Sequence, residues 1–179
     1  MSELLEIVKN KVQAKFGDAL LASEMHYDFP VFIISKEKIK DVLQFLKEDK
    51  ELHFHFLTTL CGLHHPEQDS SIEFGVMYQL YNLSKNWRIR LKTFTSREDL
   101  NIPTVTDLWK TAGWMERQEF DFFGINFIGH PNLTRILNMD EMNYHPMRKE
   151  YPLEDMSRDD KNDKMFGRLY LCYLINSAN

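Results

Sequence analysis

The chain has little of what would lock, anchor or strongly charge a protein. Two cysteines, Cys61 and Cys172, stand far apart in 179 residues. A chain of this length buries enough apolar surface to do without cross-links, so both are expected as reduced thiols. No apolar run approaches the roughly 18 residues that a membrane-spanning helix requires. The opening M-S-E-L-L-E-I-V-K-N carries acids where a secretory signal or transit peptide needs cations, and the chain is expected to stay in the compartment where it is made. Lys and Arg together number 22 against 27 Asp and Glu, a net charge of −5 with no basic stripe, which argues against sequence-independent binding to nucleic acid. There is no phosphate loop, G-x-G-x-x-G, G-x-S-x-G, C-x-x-C or H-E-x-x-H. No redox cofactor is therefore expected in this chain.

What is present reads as a globular α+β pattern. Leu4, Leu5, Val8, Val12 and Phe16 recur at helical spacing, and Gly17 closes the helix. Residues 20–27 and 30–35 read as two strands, and Ser35 as the cap of a second helix over 36–50, with Ile39, Val42, Leu43 and Leu46 inward. From Glu51 to Leu63, Leu52, Phe54 and Phe56 alternate with His53 and His55, which predicts a strand with one wet face. Residues 71–83 and 86–94 predict a hairpin in which Trp87, Ile89 and Leu91 alternate with Arg88, Arg90 and Lys92, giving a basic outer face. The order of elements is not the regular alternation of a doubly wound fold. It predicts a two-layer, mainly antiparallel or mixed five-stranded sheet with helices on one face. We expect an α+β domain over residues 1–128 and an extended, partner-binding arm and tail over 129–179. Within the tail, 154–164 reads as a charged connector and 165–175 as an apolar terminus.

The most specific stretch runs from Trp109 to Leu153. After Pro103, Thr104 and Asp107 suggest a capping box, and Gly124 a helix stop. On the helical wheel Val105, Leu108, Trp109, Ala112, Met115 and Phe123 share one side, and Glu116 and Glu119 fall among them. Arg117 and Asp121 fall opposite with Trp114, spaced for an i,i+4 ion pair. Buried carboxylates without partners are costly, so cations are expected to meet Glu116 and Glu119. Arg135, Arg148 and Lys149 in the following Pro-punctuated segment are the nearest suppliers, and that segment is expected to fold back along the helix.

Two catalytic readings are weaker. His53, His55, Cys61, His64 and His65 lie close together, but without metal-ligand spacing, and read better as surface and turn residues. Glu116, Glu119, His130 and His145 could supply acid–base chemistry, yet Gly129-His130-Pro131 reads more simply as a tight turn whose imidazole donates to a backbone carbonyl.

The motif residues carry a resemblance. Glu116-Arg117-Gln118-Glu119-Phe120-Asp121-Phe122-Phe123-Gly124-Ile125, then Gly129-His130-Pro131-Asn132-Leu133-Thr134-Arg135-Ile136-Leu137, then His145-Pro146-Met147-Arg148-Lys149-Glu150-Tyr151-Pro152-Leu153, closely resemble the C subunit of respiratory complex I, the proton-pumping NADH:quinone oxidoreductase. Gln118, Thr134, Tyr144 and Glu150 depart from that pattern, and 118 and 134 would compensate one another if they face each other. The resemblance implies a non-catalytic subunit of the hydrophilic arm, peripheral on the cytoplasmic side of the cell inner membrane. Such a subunit holds no flavin, iron–sulfur cluster or metal, and its partners are chiefly the large quinone-site subunit and neighbouring iron–sulfur subunits. Related subunits serve membrane-linked hydrogenases and plastid-type dehydrogenases. A metal-dependent hydrolase and a free assembly adaptor are the readings of a different class.

Overall fold

The computed structural model describes residues 2–151. Helix α1 (Ser2–Phe16) ends where Gly17 turns at φ 52°, and a short 3-10 turn leads into the hairpin β1 (Leu20–His26) and β2 (Phe29–Ile34). Helix α2 (Ile39–Glu48) crosses over to β3 (Phe56–His64), followed by the hairpin β4 (Phe74–Asn82) and β5 (Trp87–Thr95). The sheet order is β1-β2-β5-β4-β3, antiparallel except for the β2–β5 pair. The α+β class and mixed five-stranded sheet are as the sequence predicts.

The periodic residues build the core. Val8 and Val12 of α1, and Val42, Leu43 and Leu46 of α2, pack on Phe32, Ile34, Val76, Leu80, Ile89 and Leu91 of the sheet. All of these are buried.

Three local expectations are corrected. The Glu51–His55 stretch is not strand: Asp49 accepts the Glu51 and Leu52 amides, His53 sits at φ 40°, and the chain coils until Phe56. Leu52 and Phe54 are buried from this coil, whereas Phe56 is exposed. Alternation survives without extension because successive tight turns also throw side chains to opposite sides. Secondly, Ser35 does not cap α2, which begins after a turn at Lys38 with no side-chain cap. Thirdly, Thr104 and Asp107 do not open the third helix: α3 is Ala112–Phe123, and it is preceded by turns at 106–108 and 110–111.

A small parallel pair that the sequence reading did not foresee, β6 (Asn101–Pro103) and β7 (Asn126–Ile128), brackets α3. It fixes both ends of the helix relative to one another. Residues up to Lys149 form one compact unit, and a second begins at Glu150. The 154–164 and 165–175 expectations, Cys172 and Pro152 lie outside the described residues.

Candidate partner-binding surface

Helix α3 covers the free edge of the sheet. Strand β3 is an edge strand, and its outward Gly62 amide donates to Glu119 Oε2 at 2.7 Å, so a side chain takes the place of a neighbouring strand. Glu116 lies one turn earlier. It accepts the Val105 amide at 2.8 Å and the Thr104 hydroxyl. Both acids are buried, as the wheel predicts, but among the described residues neither forms an ion pair. Burial instead pushes each carboxyl up to about 7, against the pull of those hydrogen bonds. The expected pairing with Arg135, Arg148 and Lys149 is therefore wrong. The apolar side of α3 faces the sheet and the 104–109 turns, where backbone amides and a hydroxyl are the available donors.

The Pro-punctuated segment folds back along the other side of α3, the one marked wet by the wheel. Arg117 does not pair with Asp121; it donates to the carbonyls of Thr134 and Arg135 and to Thr134 Oγ1. Thr134 is thus held by the residue before Gln118. Asp121, fully buried, is the centre of the attachment. Its Oδ1 lies 2.7 Å from Arg135 Nη1 and accepts Asn138 Nδ2, and its Oδ2 accepts the Ile136, Leu137 and Asn138 amides. Burial alone would raise this carboxyl, but the Asn138, Leu137 and Arg135 donors outweigh it and hold it well below the usual carboxylate range.

The last carbonyls of a helix have no partner within it, and here the returning segment supplies them. Phe120 O accepts the Gly124 amide; Asp121 O accepts Arg135 Nη1 and His145 Nδ1; Phe122 O accepts the Met147 amide; Phe123 O accepts Arg148 Nε at 2.8 Å. Two guanidinium groups at the negative end of the helix dipole add to the fit. Burial and the neighbouring arginines lower the His145 pKa against the Asp121 carbonyl, favouring a neutral ring that donates through Nδ1.

His130 acts similarly at the other end. Its Nδ1 accepts the Asn132 amide, which leaves Nε2 to donate to Gly113 O at 3.0 Å. That is the turn the sequence suggests. Gly129 takes φ 84° just before it, which favours glycine, and Pro131 follows in the turn.

Gly124 is required twice. Its φ is 78°, and a Cβ there would lie 2.6 Å from His145 Nε2 and 2.7 Å from Arg148 Nη2. Gly124→Ala is expected to lower stability by about 1–2 kcal/mol from left-handed backbone strain alone, and to displace both side chains. Thermal melts check the first, and faster amide exchange over 145–149 the second.

The sequence reading missed the far anchor. His64 is buried rather than a surface or turn residue; it stacks on Phe74 and donates from Nε2 to Glu73, and its Nδ1 accepts the Lys149 amide at 3.0 Å. Arg97, against the effect of burial and aided by His64, holds the Glu73 carboxyl down to about 2. A His-His-Pro string gave no hint of this, since Glu73 is reached across the β3–β4 turn and Lys149 lies 85 residues on. Lys149 serves through its backbone, not its charge. His53 and His55 stack on each other, and Cys61 is half-buried on β3. Phe123 packs against the core from the last turn of α3. Pro146 is half-buried in the returning segment, and Tyr151, in the second unit, is exposed. Among the described residues no group of three or more His, Cys, Asp or Glu could hold a metal ion.

The outer side of this assembly exposes large apolar side chains among polar ones. Trp114, Leu137 and Met139 are 65%, 64% and 69% exposed, and Ile128, Tyr144 and Met147 are also open to solvent. Six large apolar side chains on a surface held this firmly fit a protein interface better than a solvated loop.

Known proteins agree with that geometry. Residues 32–157 match the family model described as respiratory-chain NADH dehydrogenase, 30 Kd subunit. The NADH-quinone oxidoreductase C subunit of Roseiflexus castenholzii is 39% identical over 160 residues, covering 88% of this chain and 90% of that one. A protein of Chromohalobacter salexigens named as the C/D subunit of NADH-quinone oxidoreductase is 39% identical over 145 residues, 78% of this chain but 24% of that longer protein. Among solved structures, a trypsin-resistant fragment (1-134) of Nqo5 superposes with a TM-score of 0.63 at 29% identity, covering 72% of this chain and 98% of the fragment. The chain belongs to the 30 Kd subunit family of the respiratory-chain NADH dehydrogenase, the family of the NADH-quinone oxidoreductase C subunits.

Proposed function

We propose that this chain is a non-catalytic, peripheral subunit of the hydrophilic arm of an NADH:quinone oxidoreductase, on the cytoplasmic side of the cell inner membrane. It braces the electron-transfer and quinone-reducing module, while flavin and iron–sulfur clusters belong to its neighbours. The observation that carries this reading is the strapped surface: a segment without helix or strand, fixed by Asp121, Arg135 and the α3 carbonyls, that presents Leu137, Met139, Tyr144 and Met147 outward. An irregular segment so closely hydrogen-bonded on one side and exposing four large apolar side chains on the other is shaped to be covered.

The large quinone-site subunit is the principal partner in this reading, with iron–sulfur subunits beside it. A relative named C/D, of which the matching region is about a quarter, supports direct contact with the component designated D. No helix among the described residues is long and apolar enough to cross a membrane, and attachment through other subunits accommodates that. Affinity isolation of the tagged chain from gently solubilised membranes tests the proposal. The expected result is recovery in about equal amounts with subunits bearing flavin and iron–sulfur clusters; recovery only as a free monomer would overturn it.

A further inference from the structure

Strand β5 is the middle strand of the five, and its alternate residues Ile89, Leu91 and Thr93 are buried under the helices. Arg88, Arg90 and Lys92 therefore point to the opposite face of the sheet. Their neighbours in register on that face are Tyr81, Gln79 and Met77 of β4, with Val31 and Ile33 of β2 beside Arg90 and Lys92. No carboxylate stands among them. Arg88 lies over the Tyr81 ring, and Arg90 lies over Phe29 and donates to Gln79 Oε1. These contacts hold the guanidinium groups in place without neutralising them.

Among the described residues six cations elsewhere are answered by carboxylates, while single ones such as Lys9, Lys50 and Lys110 are not. Lys11, Lys36, Lys38, Lys40, Arg97 and Arg135 each meet an Asp or Glu. Among the described residues Arg88, Arg90 and Lys92 make no ion pair. Glu24, in register with Val31, is bonded to His26 instead. At the Lys92 end the face runs into a cleft of about 840 Å³ lined by Ile33, Phe94 and Ile72 and also by Glu37, Glu24 and Asp99, the last two already bonded to His26 and Lys36. The face is thus a cationic row between apolar and aromatic side chains, with Glu3 and Asp28 beyond its Arg88 end and the cleft's carboxylates beyond Lys92.

We propose that this open sheet face docks an acidic, amphipathic helix of a neighbouring subunit. Alternate residues of a strand lie roughly 6.7 Å apart, close to the roughly 6 Å between residues four apart on a helix. A helix with carboxylates at that spacing would meet the row, and its apolar residues would cover Met77, Ile33 and Phe94. Covering the row with a neutral surface would strand cations in a dry interface, so the partner must bring the opposite charge. The inference rests on the subunit reading and adds a second contact face, on the outward side of the central strands.

The test uses the assembled complex. With p-benzoylphenylalanine replacing Gln79, irradiation is expected to join the chain to a peptide of another subunit with two or more carboxylates within a helical turn of the attachment point. A phospholipid adduct, an adduct to a neutral or basic peptide, or no adduct would overturn the proposal. Alongside, R88Q/R90Q/K92Q is expected to weaken rebinding to complex depleted of the chain by about tenfold, and to flatten its salt dependence. Removing the same charge at Lys9, Lys50 and Lys110 is expected to leave rebinding unchanged. Unaltered affinity in the face variant overturns the proposal, and should that variant fail to fold, the cross-link decides with every cation in place. If the tagged wild-type chain never joins the complex, the subunit reading itself fails. If it joins and the face tests fail, only this inference does.

Discussion

Asp121→Ala is expected to cost about 3–5 kcal/mol, the usual penalty for breaking a buried ion pair from one side. The mutation leaves Arg135, whose side chain is 10% exposed, without its carboxylate, and leaves the Ile136, Leu137 and Asn138 amides without an acceptor. The loss should be local first. Amide exchange over 134–145 should accelerate, while β4 and β5 stay protected, because their core does not involve Asp121. Recovery of the chain with its complex should fall in parallel. Arg135→Ala should act in the same direction at a smaller cost, since the buried carboxylate keeps the Asn138 side chain and three amides. The double variant should then cost clearly less than the sum of the two. Strict additivity would mean that the pair does not act as one fastening.

The second large effect is a stability that falls as pH rises. Glu116 and Glu119 titrate at about 7 in the folded chain against 4.5 for an unperturbed carboxyl. Between those values the folded state holds protons that the unfolded state has released. The contribution is fully present below about pH 4.5 and is lost toward pH 7, at about 3 kcal/mol for each group. Asp121 and Glu73 act in the opposite sense: their folded values are lowered, so their contribution is lost as pH falls through the acid range. Maximal stability is therefore expected near pH 5. Glu119→Gln can still accept the Gly62 amide and carries no proton-linked loss. It should raise stability at pH 8 by up to about 3 kcal/mol and roughly halve the slope between pH 5 and 8, as read by urea titrations. An unchanged slope would show that Glu119 is ionised throughout.

Much of this arrangement is legible in the letters, and the remainder fails for identifiable reasons. Periodicity at Val8, Val12, Val42 and Leu46, and alternation at Ile89 and Leu91, name core residues correctly because burial is a property of one element's own face. The wheel likewise marks Glu116 and Glu119 as buried. It cannot say what meets them, because a wheel gives direction and not identity. The donors are the Gly62 amide, distant in sequence, and Thr104, whose position before the helix mimics a cap. Asp121 looks solvent-facing for the complementary reason. Nothing local indicates that another stretch of chain lies over that side of α3, and a polar side chain covered by chain has the same letter as one covered by water.

The fastening at the end of α3 is made to main-chain oxygens: those of Asp121, Phe122 and Phe123 receive His145 and Arg135, the Met147 amide, and Arg148. Every amino acid brings the same carbonyl. Provided the helix still ends at Gly124, these bonds to the strap therefore do not depend on which side chain stands at 121–123, although the Phe120 ring meets His145 and Phe123 packs on the core. The strap's outward residues are similarly free to co-vary with whatever covers them. Such a joint separates shape from surface, letting one backbone clasp persist while the face it displays is re-cut for a changing neighbour.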